Sequence, residues 1–188
     1  MSVMSNSPRR IFNTWDDSGM PAGERHIGQI GRELVVTSAT VLVDLAADYA
    51  DLDYCGTPST LLSFANAARV AGGKGVVRSV LFQDRDDVFP KTHLILFSTT
   101  TVSTTLTDNS ALVVDDSDLD KIVGVVTCAT ADFTIDANTG RVAFKKDTNI
   151  YFDLPAGATT LYGLVQAGGP WNAAAHNSLG ISLAIEQF

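Results

Sequence analysis

From Glu33 onward the chain is written in short β-type runs, a few residues each, separated by turn chemistry at close spacing. Side chains alternate between the two faces of a strand, so runs this short bury a face only by pairing and stacking into sheets. About ten candidate strands can be marked this way, the signature of a sandwich or barrel. The clearest alternation is Asp132-Phe133-Thr134-Ile135-Asp136, followed by Ala137-Asn138-Thr139-Gly140 and Arg141-Val142-Ala143-Phe144. It predicts a hairpin in which Gly140 supplies positive φ. Ile150, Phe152 and Leu154 share one face of the next run, Pro155-Ala156-Gly157 marks a type I turn, and Leu161 to Val165 is expected to return as that strand's partner. At the far end Ile181, Leu183 and Ile185 alternate with Ser182, Ala184 and Glu186, a strand with one wet face. Gly75 to Phe82 and His93 to Phe97 are apolar at nearly every position and read as central strands, covered on both faces or pressed against a partner. Val41 to Asp53 reads two ways, as a strand in its first half and as a helical turn over Leu45 to Tyr49. Ser98 to Thr107 is β-branched and predicts an edge strand plus loop. No internal repeat occurs at a fixed period.

The 188 residues suffice for one domain with a real core and an arm. Hydrophobic residues make up 45% and charged ones 18%, which argues against wholesale disorder. Of 21 acids, 18 are Asp and three are Glu, and Asp favours turns and caps over helix interiors. The net charge of −8 arises beyond residue 33, because the first 33 residues hold four basic and four acidic side chains. The densest basic pairs, Arg9-Arg10 and Lys145-Lys146, make a poor phosphate-neutralising footprint, so no nucleic-acid partner is expected. Apolar stretches such as Leu94 to Phe97 fall far short of the ~20 residues that span a bilayer as a helix. No membrane partner is expected either. Cys55 and Cys128 form no disulfide framework and read as free thiols, and no apolar stretch behind Arg9 and Arg10 resembles a secretory signal. Folding in a reducing cytoplasm is the expectation.

Residues 1 to 33 contain all three methionines, two of six prolines and Trp15, with no sustained period. They are read as an extended N-terminal arm ahead of a domain spanning 34 to 188. Isolated apolar residues Ile11, Phe12 and Trp15 suit a segment that docks on another surface, the alternatives being a tail or a strand packed on its own domain.

Four patterns bear on chemistry. Asp115 to Asp120 offers carboxylates at alternate positions, yet a calcium loop counted from Asp116 needs Gly where Lys121 stands and Glu where Thr127 stands. The cluster is read as a solvated turn or cap before Ile122 to Val126. Ala71-Gly72-Gly73-Lys74-Gly75 lacks the Ser or Thr and the glycine spacing of a phosphate loop and reads as a tight turn. His26, His93 and His176 sit in no nucleophile motif, and no carboxylate pair is favoured for glycoside chemistry, so catalytic residues, metal ligands and cofactors are each expected to be none. Trp171, after Gly168-Gly169-Pro170, is either a buried packing residue or an interface anchor or sugar platform.

From about Leu61 to the end the order of features resembles a family of tailed-bacteriophage virion proteins that decorate or cement the capsid. The segments are LLSFANAARVAGGKGVVRSVLFQD, then LILF, Asp108-Asn109-Ser110-Ala111, the Asp-rich turn with KIVGVV, and finally LYGLVQAGGPW and ISLAIEQF. The match covers roughly two thirds of the chain, and its order is more distinctive than any one motif. The resemblance implies an all-β, jelly-roll-like antiparallel β-sandwich with no cofactor and no catalysis. It also implies a location on the outer capsid surface of the virion, after synthesis in the host cytoplasm, and binding to the major capsid protein. A homo-oligomer, dimer or trimer, at a symmetry axis is expected with it. The alternative is a tail- or fibre-associated host-recognition module, for which exposed loops on a β-sandwich serve equally well.

Overall fold

The computed structural model describes residues 33–42, 48–84, 91–100, 103–137, 140–172 and 178–188. The chain divides into two units, Met1–Gly31 and Arg32–Phe188, and every described residue lies in the second. Thirteen strands occur among these residues: β1 (Glu33–Leu42), β2 (Asp48–Tyr49), β3 (Tyr54–Cys55), β4 (Leu62–Phe64), β5 (Lys74–Asp84), β6 (Thr92–Phe97), β7 (Ile122–Cys128), β8 (Phe133–Ala137), β9 (Gly140–Lys145), β10 (Ile150–Asp153), β11 (Leu161–Ala167), β12 (Trp171–Asn172) and β13 (Ser178–Gln187). The only helical pieces among them are 3₁₀ turns at Asp116–Lys121 and Thr130–Asp132.

The pairing is nested. The outermost pair joins β1 to β13, from Glu33 against Gln187 to Leu42 against Ser178. Inside it, β3 and β4 lie end to end along β11, β10 pairs β5, and β6 pairs β7. Two further pairings, β13 with β5 and β11 with β6, sew these ribbons into two sheets, all antiparallel. A long double ribbon rolled up in this way is a jelly roll, the arrangement in which two facing sheets share one core. The first sheet runs β1-β13-β5-β9-β8, with β10 beside β9 on β5; the second runs β3-β11-β6-β7, with β4 beside β3.

Alternation decides which side chains meet between the sheets. Leu179, Ile181, Leu183 and Ile185 of β13 and Val77, Val80 and Phe82 of β5 face Leu94 and Leu96 of β6 and Leu161 and Val165 of β11, all almost wholly buried. Gly163 keeps the inner face of β11 bare, because a Cβ there would touch Phe64 and Leu94 at 3.1 and 3.2 Å. The register between β13 and β5 shifts at Ala184/Ile185, which leaves Arg78 as an extra residue. Its freed carbonyl accepts from the Thr148 N–H at 3.2 Å, in the turn that carries the chain from β9 to β10.

β6 is buried on both faces, as its composition predicts, and the cover comes from its own chain. Outward-facing Ile95, Phe97 and Leu164 pack with Tyr54, Leu106 and Leu112, the last two from the connection between β6 and β7. β5 is central but less sheltered, with Ser79 and Leu81 partly exposed on its outer side.

Three expectations need correction. Leu161 to Val165 does not pair with the Ile150–Asp153 strand: β10 pairs β5 and β11 pairs β6, so the chain crosses between sheets at 155–160. The turn there is type II, with the Ala158 N–H bonded to the Pro155 carbonyl at 3.0 Å and Gly157 at φ +87° in the third position, where only glycine sits without strain. Between Ser98 and Thr107 no strand forms among the described residues, and Leu106 packs on the outer face of the second sheet. The predicted hairpin is present as β8 and β9, with Ala137 opposite Gly140; its tip, 138–139, lies outside the described residues.

Candidate functional site

Part of the outer face of the second sheet is covered by the connection between β6 and β7. The Ser59 N–H bonds the Leu106 carbonyl, the Tyr54 N–H bonds Ser110, the Asn109 N–H bonds Tyr54, and the Leu112 N–H bonds Leu52, all at 2.9–3.0 Å. Asp108 accepts from the Tyr49 hydroxyl at 2.8 Å and the Gly56 N–H at 3.1 Å. The Tyr54 hydroxyl donates to the Thr57 and Thr60 carbonyls, and burial with Asp108 nearby pushes its pKa up to about 12. The far end of the connection is held by Asp118. Its buried carboxylate accepts from the Thr104 N–H at 2.7 Å and the Thr104 hydroxyl at 2.9 Å, and pairs with Lys121 at 2.7 Å. Burial alone would raise the pKa of Asp118; the Lys121 ammonium and the two Thr104 donors outweigh it and hold the carboxyl at about 2. Asp115 caps the 3₁₀ turn by accepting from the Ser117 N–H at 2.9 Å, the capping role expected of this cluster.

Trp171 is 4% exposed and stacks on Tyr49 with ring centroids 5.1 Å apart, so it ties β12 to β2 at a corner of the body. In this position it packs instead of presenting a platform. Ile11, Phe12 and Trp15 lie outside the described residues, as do His26 and His176. His93 Nδ1 lies 2.8 Å from the Thr127 hydroxyl, and burial together with Lys91 lowers its pKa, which favours a neutral ring at pH 7. Cys55 and Cys128 are free and buried. Burial first, then nearby Asp108, pushes the Cys55 thiol up; burial and Asp132 push Cys128 up to about 12.

Hollows open on the body among the described residues, including one of about 310 Å³ beside Tyr151 and Phe188. One of about 260 Å³ lies between β1 and the β3–β4 rim, beside Ala39, Thr40, Gly56 and Thr60. A second of similar volume is lined by hydroxyls of Ser103, Thr105, Thr107 and Ser110. A third, of about 500 Å³, is open and bordered by Ser98, Asp120, Lys121 and Asp153. Beside the second, the Thr104 hydroxyl is bonded to the buried Asp118 carboxylate, the same contact that clamps the connection.

The outer face of the first sheet is the surface that reasoning from sequence passed over. Leu34 and Val36 of β1 are 65% and 66% exposed, Tyr151 of β10 is 68% exposed, and Phe144 of β9 is half exposed. The signal was legible in Glu33-Leu34-Val35-Val36, where apolar residues fall on both faces at once. Polar neighbours divide these residues: Ser38 and Ser182 exchange a hydrogen bond at 2.7 Å, and Arg78 pairs with Glu186.

No family model matches the chain, and no curated protein matches it. Among solved structures the chain is similar to the structure of a marine algae virus of the order Picornavirales, with 12% identity and a TM-score of 0.23 over 99% of this chain and 84% of that one. A TM-score of that size carries no argument about fold or function, so the jelly roll stands on its strand pairing alone.

Proposed function

We propose that this chain is a non-catalytic structural protein of a tailed-phage virion, which decorates the head by binding major capsid subunits on their outer surface and assembles there as a homo-oligomer. The observation that carries the reading is the nested pairing of β1 with β13, of β3 and β4 with β11, of β5 with β10 and of β6 with β7 into a jelly roll, in a chain whose order of segments resembles that decoration family. The internal use of reactive groups supports it: both thiols are buried, and Asp108, Asp118 and Tyr54 are spent on holding loops against the body. A decoration protein acts multivalently on a symmetric lattice, so each copy needs only a modest contact. The segment ahead of β1, with Ile11, Phe12 and Trp15, is the proposed arm that gains contact area by ordering on the shell.

Copy number tests this reading. Quantitative protein gels of purified particles should show hundreds of copies per head; a handful would place the chain at the tail or a fibre. Removal of residues 1–31 should leave the body folded while greatly weakening its co-sedimentation with empty heads. Undiminished attachment of the shortened chain would reject the role of the arm.

A further inference from the structure

The sheet edges differ in how they are guarded. β3 and β4 offer two and three residues, interrupted by the 56–61 segment, and β10 offers four. β8 is five residues long and its register breaks between Phe133 and Ile135. β7 is irregular opposite Leu96/Phe97, and its Gly124 lies so close to β10 that a Cβ would meet the Ile150 side chain at 2.7 Å. Short length, bulges and cover are the devices by which natural sheets prevent stray pairing. β1 has none of them in its first half. It is ten residues long, in unbroken register with β13, and carries no proline, lysine or glycine. Among the described residues its backbone pairs only with β13, and β4 lies beside its second half, at Ala39 and Thr40. Its inward-facing Val35, Thr37 and Ala39 are partly buried, whereas Leu34 and Val36 stand in solvent.

We infer that the Glu33–Ser38 half of β1 is an interface edge that pairs antiparallel with the same strand of a second copy about a two-fold axis. The inference deepens the self-association in the function proposed above and rests on it. An identical strand is self-complementary in this arrangement, since a two-fold axis normal to the sheet keeps outward residues on one face. With the axis at Val35, Leu34 of each copy falls opposite Val36 of the other, so all four exposed apolar side chains become cross-strand neighbours. Charge favours a second copy too. In a chain of net charge −8, β1 carries a single charge, Glu33. That carboxylate falls opposite Thr37 and lies four strand positions from its own counterpart, ~13 Å away and beyond a Debye length at physiological salt. Parallel pairing would set the two Glu33 side by side.

Sedimentation velocity of the full chain across about 1–100 µM, the range in which micromolar pairing is resolved, tests this directly. The wild-type chain should form dimers, and L34K/V36K should raise the dissociation constant at least tenfold while its melting transition stays in place. The conservative pair L34I/V36I should still dimerise. Dimers that persist unchanged in L34K/V36K would overturn the edge while leaving self-association intact. A wild-type chain that stays monomeric throughout would overturn both, and protection of β1 amides from exchange only in the assembled particle would then assign the edge to another protein's strand.

Discussion

Asp118 is the residue on which the cover of the second sheet turns, because it joins Thr104 to Lys121 across the connection between β6 and β7. Its carboxyl titrates at about 2, against 3.8 for an unperturbed aspartate. A depressed folded-state pKa contributes stability above the unfolded value and loses it as pH falls from about 4 through 2. Asp115 and Asp132 are shifted in the same direction, by hydrogen bonds from Ser117 and Lys145 first of all. Urea midpoints measured from pH 6 down to pH 2 should therefore fall, and D118N should lower the midpoint at pH 6 while flattening the acid limb. An unchanged slope in D118N would show that the clamp does not couple to folding. The two buried thiols give a second expectation. Neither Cys55 nor Cys128 should react with an aromatic disulfide reagent at pH 8 until the protein is unfolded, and fast labelling of either would contradict its placement. From sequence the Asp-rich turn was legible as a cap, and Asp115 acts as one. The inward turn of Asp118 was not legible, since it depends on Thr104, fourteen positions earlier in the chain.

At the scale of elements, alternation carried most of the information, and it failed where partners had to be chosen. The strands at 133–144, 150–153 and 178–187 are readable because one face of each is wet. Their partners are not, because period-2 patterning says which face is buried and nothing about which strand lies alongside. That is why β10 and β11 looked like a hairpin, although their connection crosses the sandwich. β6 was recognised as doubly covered, yet its sequence does not reveal that the cover is its own following segment. The two sides of β6 should respond differently to truncation. Leu96→Ala opens the core between the sheets and should cost about 3–5 kcal/mol, the upper part of the range for buried leucines. Leu106→Ala lies under a loop that can settle and should cost about 2 kcal/mol. Equilibrium unfolding of both variants tests this; equal losses would mean that the cover is as rigid as the core.

For the whole molecule, the outermost pair joins residue 33 to residue 187, so the fold closes through contacts far apart in the chain. Such topologies fold slowly, in milliseconds to seconds, because loop-closure entropy is lost before the long-range pairs form. The nested order was expected only through resemblance to other proteins, since composition and period favour a sandwich or barrel without selecting among their wirings. The same ribbon has a practical side. Glu33 lies opposite Gln187, so anything fused beyond Phe188 would emerge on the rim from which the preceding segment departs. A displayed peptide would do better grafted into the glycine turn at 155–158. A circularly permuted gene, joining 188 to 33 through a short linker and opening there, should yield the same body with new ends.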